Sequence, residues 1–243
     1  MIRLWPSIDP NAELSDDDLA GCYAYPDGLT APWVRVNFVS SIDGAAALDG
    51  VSGGLGSAAD KRVFATLREL AQVVLVGSGT ARAENYRGAR RPTRGTDVPP
   101  PIAVITSSAR IDPQSRLLTD TAVPPIVLTL ATAPAERRAA LAAAGADVVV
   151  LPDLTPATVL AELGRRGLHR VLCEGGPTLN NSLVAADAVD ELCLTVSPLL
   201  AGAGAPRIVD GPDGAIARKM ELVTALHEDG VLLLRYRRVG PIG

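Results

Sequence analysis

The sequence predicts an α/β fold: a mostly parallel sheet flanked by helices, with an antiparallel hairpin at its C-terminal end. From residue 33 onwards, short apolar runs alternate with segments of helical periodicity, which is typical of parallel strands joined by crossover helices. After residue 192 the helices stop, and two apolar runs at 222–226 and 231–236 face each other across Glu228-Asp-Gly230. We therefore divide the chain into an N-terminal extension at 1–32 and one domain at 33–243.

Each predicted element has a local signal. The first strand is the apolar run 33–39, and Ser57 caps a helix that extends to residue 71. Thr155 with Pro156 opens a later helix and Pro177 another, because the missing N–H of proline would be unpaired at a helix start anyway. The stretch 82–101 is a long irregular loop rich in arginine and proline. Further buried strands are predicted at 72–76, 102–105, 126–130, 148–151 and 171–173.

Composition argues against several functional classes. The 243 residues are 47% apolar with a net charge of −4, which argues against nucleic-acid binding through phosphate neutralisation. No apolar run is long enough to cross a membrane, and residues 1–11 lack the apolar core of a secretion signal. Three cysteines without a CxxC pair and only two histidines predict a reducing cytoplasm and no metal site. The composition remains compatible with an enzyme that transfers hydride, because in such an enzyme a bound cofactor carries the chemistry.

The stretch 171–180, VLCEGGPTLN, is the most informative motif. It predicts a buried strand, a glutamate, two glycines and a helix opened by Pro177. A helix start lined by Gly175 and Gly176 offers free N–H groups and the positive end of the helix dipole, which bind phosphate or pyrophosphate. A tight turn without a ligand is the alternative. Glu174 is either structural or faces a ligand, since ligand crevices form at the carboxyl ends of α/β strands.

Four further patterns each allow a structural and a functional interpretation. Gly77-Ser-Gly-Thr-Ala-Arg82 lacks the third glycine of a dinucleotide fingerprint, so it is either a simple turn or a glycine turn beneath a nicotinamide. Thr106-Ser-Ser-Ala-Arg110 is a solvated loop or a site for an adenosine 2′-phosphate. Asp43 caps a turn or faces the substrate. Most of a run of arginines is predicted to be solvated, with one holding a substrate phosphate as the sharper alternative: Arg87, Arg90, Arg91 and Arg94.

Several of these motifs occur together in an order that resembles a known family. They are Ser41-Ile-Asp-Gly44, Leu67-Arg68, Val74-Leu-Val-Gly-Ser-Gly-Thr80, Glu174-Gly-Gly-Pro-Thr-Leu-Asn180 and Val189-Asp-Glu-Leu192, followed by Ser197-Pro198. Over about residues 33–240 the chain resembles the reductase domain of the bacterial riboflavin-biosynthesis deaminase–reductase. This resemblance implies a dihydrofolate-reductase-like fold and a homodimer. It also implies reduction of a phosphorylated ribosylaminopyrimidine by NADPH.

Motifs and resemblance together give the expected site residues. The expected cofactor residues are Gly77, Gly79, Thr80, Glu84, Thr106, Ser107, Gly175, Gly176, Pro177, Thr178 and Leu179. The expected substrate residues are Asn37, Ser52, Arg68, Arg91 and Glu174. For the proton that completes the reduction, the expected donor is Asp43, Glu174 or water.

Two departures from the family's pattern border the expected substrate. The lysine of its SxDGK motif is Ala45 here, and its acidic ADDP turn is Ala83-Glu-Asn-Tyr86. The HxE and PCxxC zinc ligands of the family's deaminase half do not occur in this sequence. Two alternatives therefore stay open. One is an NADPH-dependent dihydrofolate or dihydropterin reductase, and the other is a nicotinamide-dinucleotide-binding protein without turnover.

Overall fold

The computed structural model describes residues 1–6, 12–48, 50–202, 204–211 and 217–239. Its strands are β1 (Ile2–Trp5), β2 (Trp33–Ser41), β3 (Val73–Gly77), β4 (Ile102–Ile105), β5 (Ile126–Leu130), β6 (Asp147–Leu151), β7 (Arg170–Cys173), β8 (Glu191–Ser197), β9 (Met220–Glu228) and β10 (Val231–Arg238). Its helices are α1 (Asp16–Cys22), α2 (Ala58–Leu70), α3 (Ser78–Ala83), α4 (Arg116–Thr119), α5 (Ala135–Ala143), α6 (Pro156–Arg165) and α7 (Pro177–Ala185). None of the helices in these ranges is long and apolar enough to cross a membrane.

The described strands form one mixed sheet in the order β1-β9-β10-β8-β2-β7-β3-β4-β5-β6. Every pair from β8 through β2 to β6 is parallel. The pairs β8–β10, β10–β9 and β9–β1 are antiparallel, so the strand direction reverses at β8. The turn between β9 and β10 has positive φ angles at Asp229 and Gly230, as a tight hairpin requires. The predicted fold class, including the C-terminal hairpin, is confirmed.

Helices cover both faces of the central strands. Val74 on β3 packs on one face with Leu67 of α2, in a buried cluster that α1 also joins. The neighbouring Leu75 packs on the opposite face with Leu163 of α6 and Leu183 of α7. Successive side chains of β3 therefore point into two different apolar layers. This explains why the strand is a continuous apolar run in the sequence.

Most predicted helix starts are found where the sequence signals them. The Ser57 hydroxyl accepts a hydrogen bond from the Asp60 N–H at 3.0 Å, and Thr155 caps α6 in the same way. Helix α7 begins at Pro177. One difference is that residues 78–83 form the short helix α3, so the glycine-containing turn after β3 is also a helix start.

The N-terminal segment packs against the same sheet as the rest of the chain. Strand β1 pairs antiparallel with β9, and the Arg62 side chain of α2 binds Asp16 at the start of α1. Residues 2–5 and 16–22 therefore add to the domain's sheet and helical layer. The division at residue 32 stays a prediction, and residues 7–11 and 240–243 of the two predicted segments lie outside the described residues.

Candidate active site

A cavity of about 340 Å³ opens at the carboxyl ends of the central parallel strands. Its wall is largely apolar with a few polar groups, which is the usual character of a small-molecule site. We call it the main cavity. Residues of β2, α2, α3 with its following turn, and the β7–α7 junction line it, among them Asn37, Phe38, Val39, Asp60, Lys61, Phe64, Thr80, Glu84, Tyr86, Glu174, Gly176 and Pro177.

Glu174 is the most strongly bound charged group in this wall. Its two carboxylate oxygens accept hydrogen bonds from Nε and Nη2 of Arg68, each at 2.7 Å, and Oε2 accepts a third from the Tyr86 hydroxyl at 2.7 Å. The Arg68 guanidinium also lies 4.5 Å from the centre of the Phe64 ring. Burial opposes the charge of Arg68, but the Glu174 carboxylate outweighs it and raises the pKa of Arg68. Burial, with the nearby Glu174 charge, raises the pKa of Tyr86 well above its ordinary value.

The glycine-lined start of α7 lies against β3 and α3. The Gly77 amide donates to the Gly175 carbonyl at 2.7 Å. A Cβ on Gly175 would lie 2.6 Å from the Phe38 ring, and one on Gly176 would lie 2.3 Å from Thr80 Oγ1. No side chain caps the first turn of α7, so no side-chain acceptor competes for its free N–H groups. This geometry can receive a phosphate group.

The other expected cofactor residues are distributed around this turn. Pro177 lines the main cavity, Thr178 is exposed, and Leu179 packs partly buried against the core. Gly79 has open space where a Cβ would stand. Thr106 and Ser107 follow β4, one strand further along, where Ile105 pairs with Gly77.

Hydroxyl groups of the loop after β4 lie near guanidinium groups of α3 and α5. Thr106 is buried and Ser107 is exposed. Arg137, in the first turn of α5, contacts the Ser108 carbonyl at 3.4 Å, and Arg82 donates to the Arg110 carbonyl at 3.0 Å. These residues do not line the main cavity. They flank the same sheet edge one strand away.

A second, polar cavity of about 440 Å³ shares four residues with the main cavity: Ser52, Phe64, Glu84 and Tyr86. Glu84 accepts hydrogen bonds from the Ser52 amide at 2.8 Å and from its hydroxyl at 3.0 Å, so these two expected site residues do meet. Arg68, Arg87 and Arg116 line the polar cavity.

Two expected residues lie elsewhere. The Asp43 carboxylate accepts hydrogen bonds from the Ser41 hydroxyl and from the amides of Ala201 and Gly202 at 3.1 and 2.8 Å, and it does not line the main cavity. These bonds lower the pKa of Asp43 to about 2, which does not suit a proton donor. Arg91 pairs with Glu69 at 2.9 Å, with 75% of its side chain exposed. The structural interpretations of both residues therefore fit better.

Four charged residues that line the cavities are not among the expected site residues: Asp60 and Lys61 in the main cavity, and Arg87 and Arg116 in the polar cavity. Asp60 lines the main cavity, although its place in the first turn of α2 suggested only a favourable interaction with the helix dipole. Arg87 and Arg116 line the polar cavity, and nothing in the sequence separates Arg87 from its neighbour Arg91. The run of arginines was the only available signal. Among the described residues, no group of three or more His, Cys, Asp or Glu side chains could hold a metal ion.

Comparison with known proteins identifies the family. A family model described as the RibD C-terminal domain matches residues 32–232. The chain belongs to this family. Its relatives include the 2,5-diamino-6-ribosylamino-4(3H)-pyrimidinone 5′-phosphate reductase of Methanothermobacter thermautotrophicus. That protein is 31% identical over 183 residues, which cover 74% of this chain and 84% of the relative. The protein of the same name from Archaeoglobus fulgidus is 26% identical over 218 residues, which cover 85% of this chain and 99% of that relative.

Solved structures show the same fold. A pyrimidine reductase-like protein from Corynebacterium diphtheriae has a TM-score of 0.75 at 26% identity, over 86% of this chain and 92% of its own. The riboflavin biosynthesis reductase of Saccharomyces cerevisiae has a TM-score of 0.68 at 18% identity, over 91% of this chain and 98% of its own. The RibD C-terminal family and its sheet architecture, expected from the sequence motifs, are confirmed.

Proposed function

We propose that this protein is an NADPH-dependent reductase that transfers hydride to a phosphorylated ribosylaminopyrimidine of riboflavin biosynthesis. The observation that carries the proposal is the Glu174 carboxylate, held by Arg68 and Tyr86 in the wall of the main cavity and directly followed by the uncapped, glycine-lined start of α7. A hydrogen-bonding carboxylate for a heterocycle thus adjoins a place for a dinucleotide. The names of the relatives support this substrate class.

The residues present fit a nicotinamide dinucleotide. Gly175, Gly176 and the first turn of α7 would hold its pyrophosphate through backbone N–H groups that no side-chain cap occupies. The two glycines also let this turn lie against Phe38 and Thr80, where a side chain would collide. When bound, the cofactor supplies the hydride. The protein's own task is then to orient the substrate against Asn37 and Glu174 and to keep the reacting groups in a mostly apolar cavity.

Preference for NADPH over NADH is supported by the loop after β4. Ser107 and the guanidinium of Arg137 offer a hydroxyl and a positive charge for a 2′-phosphate. For Arg137→Gln we expect the Kd for NADPH to rise and the Kd for NADH to stay unchanged, as measured by fluorescence titration. An equal rise for both cofactors would contradict this assignment.

The substrate phosphate is proposed to bind in the polar cavity. Arg87, Arg90 and Arg116 all pair with Asp120, so three positive charges share one carboxylate, and two of these arginines line the cavity. The excess charge suits a dianionic phosphate. Arg91, which the resemblance implied as a substrate residue, lies outside the cavity.

The central test is NADPH oxidation with three compounds: the phosphorylated ribosylaminopyrimidine, the same compound without phosphate, and dihydrofolate. We expect the phosphorylated compound to have the highest kcat/KM. Since a hydrogen bond to a charged group contributes about 1.5–3 kcal/mol, Arg87→Gln and Arg116→Gln should each raise its KM by about tenfold. Arg165→Gln, which breaks an exposed pair on α6, is the matched control. Faster turnover of dihydrofolate would favour the pterin alternative, and tight NADPH binding without oxidation would favour a binding protein.

The unpaired, buried cysteines support a reducing compartment, and we propose a cytoplasmic location.

We also propose that the protein is a homodimer. The exposed apolar side chains of Ile42, Leu199 and Leu200 lie together, because the Ile42 amide donates to the Leu199 carbonyl at 2.9 Å. Light scattering coupled to size-exclusion chromatography would measure the mass of the particle, and a monomer at micromolar concentration would contradict the dimer.

A further inference from the structure

We propose that Asp60 is the general acid that protonates the substrate nitrogen when its neighbouring carbon accepts hydride. This inference rests on the proposed reductase function and adds a catalytic residue to it. Asp60 is not among the residues that the sequence motifs or the resemblance indicated. The assignment comes from where its carboxyl group lies.

Two aspartates occupy the same position in two helices but point to different surroundings. Asp18 and Asp60 are each the third residue of their helix, and each donates its N–H to the capping serine, Ser15 at 3.1 Å and Ser57 at 3.0 Å. The Asp18 carboxylate returns to the Ser15 amide at 3.1 Å and completes a capping box. Asp60 instead lines the main cavity, where the Thr195 hydroxyl is its side-chain hydrogen-bond partner.

These surroundings shift the pKa values of the two aspartates in opposite directions. Burial raises the pKa of Asp60, and the hydrogen bond from Thr195 and the charge of Lys61 offset this only in part. Hydrogen bonds from Ser15 lower the pKa of Asp18. Thr195 is buried on β8, opposite Val39 of β2. Val39 and Asp60 both line the main cavity, so the Asp60 carboxyl belongs to the part of the wall next to β2.

The other carboxyl groups around the main cavity are already held as hydrogen-bond acceptors. Glu174 accepts three hydrogen bonds, one of them from the Tyr86 hydroxyl, so that hydroxyl proton is also engaged. Glu84 accepts two from a neighbouring serine. Lys61 also lines the cavity, beside Asp60 on α2, and its charge disfavours protonation of Asp60 without reversing the effect of burial. Asp60 accepts none of these hydrogen bonds, and burial raises its pKa. We therefore assign the proton to this carboxyl group.

The proposed step balances in charge and electrons. The carbon of the substrate's C=N bond gains a hydride from a dihydronicotinamide, which is oxidised by two electrons. The π electron pair of that bond moves to the nitrogen, and the nitrogen takes the proton of the Asp60 carboxyl group. The Asp60 carboxylate then recovers a proton from water at the open cavity.

Asp60→Asn is the main variant, because it keeps the shape and an acceptor for Thr195 but has no proton to transfer. We expect kcat to fall by about 100-fold or more while the Kd for NADPH changes by less than about twofold, since general acids contribute about 10²–10⁴-fold to rate. In the wild type, kcat should fall as pH rises through the pKa of Asp60, and this limb should be absent in Asp60→Asn. Asp153→Asn, in an exposed turn, is the matched control.

A readout that does not need turnover is ¹³C NMR of the aspartate carboxyl carbons in the free protein. The Asp60 signal is assigned by its loss in Asp60→Asn, and we expect it to titrate at higher pH than the exposed aspartates. A titration at or below theirs, or an Asp60→Asn variant with the kcat of the wild type, would overturn the assignment. Wild-type protein that oxidises NADPH with none of the heterocycles would overturn the proposed function instead, while the titration would still decide the protonation of Asp60.

Discussion

Replacing Arg68 by alanine should destabilise the protein through the charge that it leaves behind. Arg68 donates two hydrogen bonds of 2.7 Å to Glu174, whose side chain is 2% exposed, whereas that of Arg68 is 20% exposed. Removing one partner of a buried pair costs about 3–5 kcal/mol, and the partial exposure of Arg68 favours the lower end. We therefore expect the free energy of unfolding to fall by about 3 kcal/mol, which is a more than hundredfold change in the unfolding equilibrium.

Adding Glu174→Gln to Arg68→Ala separates the effect of the unpaired charge from the effect of lost packing. In the double variant no buried carboxylate is left unpaired, so it should be more stable than Arg68→Ala alone by about 1–2 kcal/mol. Urea unfolding followed by circular dichroism measures the free energy of unfolding of the wild type, the two single variants and the double variant. If the two single losses simply added up in the double variant, the ion pair would not couple the residues and our reasoning about this site would be refuted. In activity assays, Arg68→Ala should raise the KM for the substrate more than that for NADPH.

Three further predictions concern the cofactor, a loop and the substrate site. Gly176→Val places a side chain against Thr80, so the Kd for NADPH in a fluorescence titration should rise by at least about tenfold, and unchanged binding would contradict the pyrophosphate site. The lowered pKa of Asp43, about 2, means that its contribution is present above the ordinary aspartate pKa and is lost as pH falls towards 2. NMR shifts of the loop amides that it binds should show this loss in wild type but not in Asp43→Asn. Tyr86→Phe removes one donor to Glu174 and should raise the substrate KM by about tenfold, as measured by NADPH oxidation, with NADPH binding unaffected.

Local signals were sufficient for most of the fold. The Ser57 cap, Pro156 and Pro177 marked the starts of α2, α6 and α7, and the glycine between β9 and β10 marked the hairpin. Each of these signals acts within a few residues, so it is legible without knowledge of the rest of the chain. The pairing of β1 with β9 was not legible in this way, because the partners are more than 200 residues apart in sequence.

The cavity residues likewise differ in how far the sequence could predict them. The Glu174-Gly-Gly-Pro motif indicated both a ligand-facing carboxylate and a helix start. Arg68, which was expected to hold the substrate, binds Glu174. The sequence did not indicate which arginine of the loop at 82–101 lines a cavity. Arg87 lines the polar cavity whereas Arg91 pairs with Glu69 on the surface, although only three residues of irregular loop separate them.

By itself, the sequence determined the order of most strands and helices, the parallel sheet with its C-terminal hairpin, and the glycine-lined helix start, because periodicity, caps and turn residues act over short distances. Only the tertiary structure decided which ionisable groups share the main cavity. Asp60 faces it and Asp43 does not, and Arg68 reaches Glu174 across 106 residues of chain. The direction of a side chain depends on how its helix or loop packs against distant elements, and that packing is a property of the folded whole.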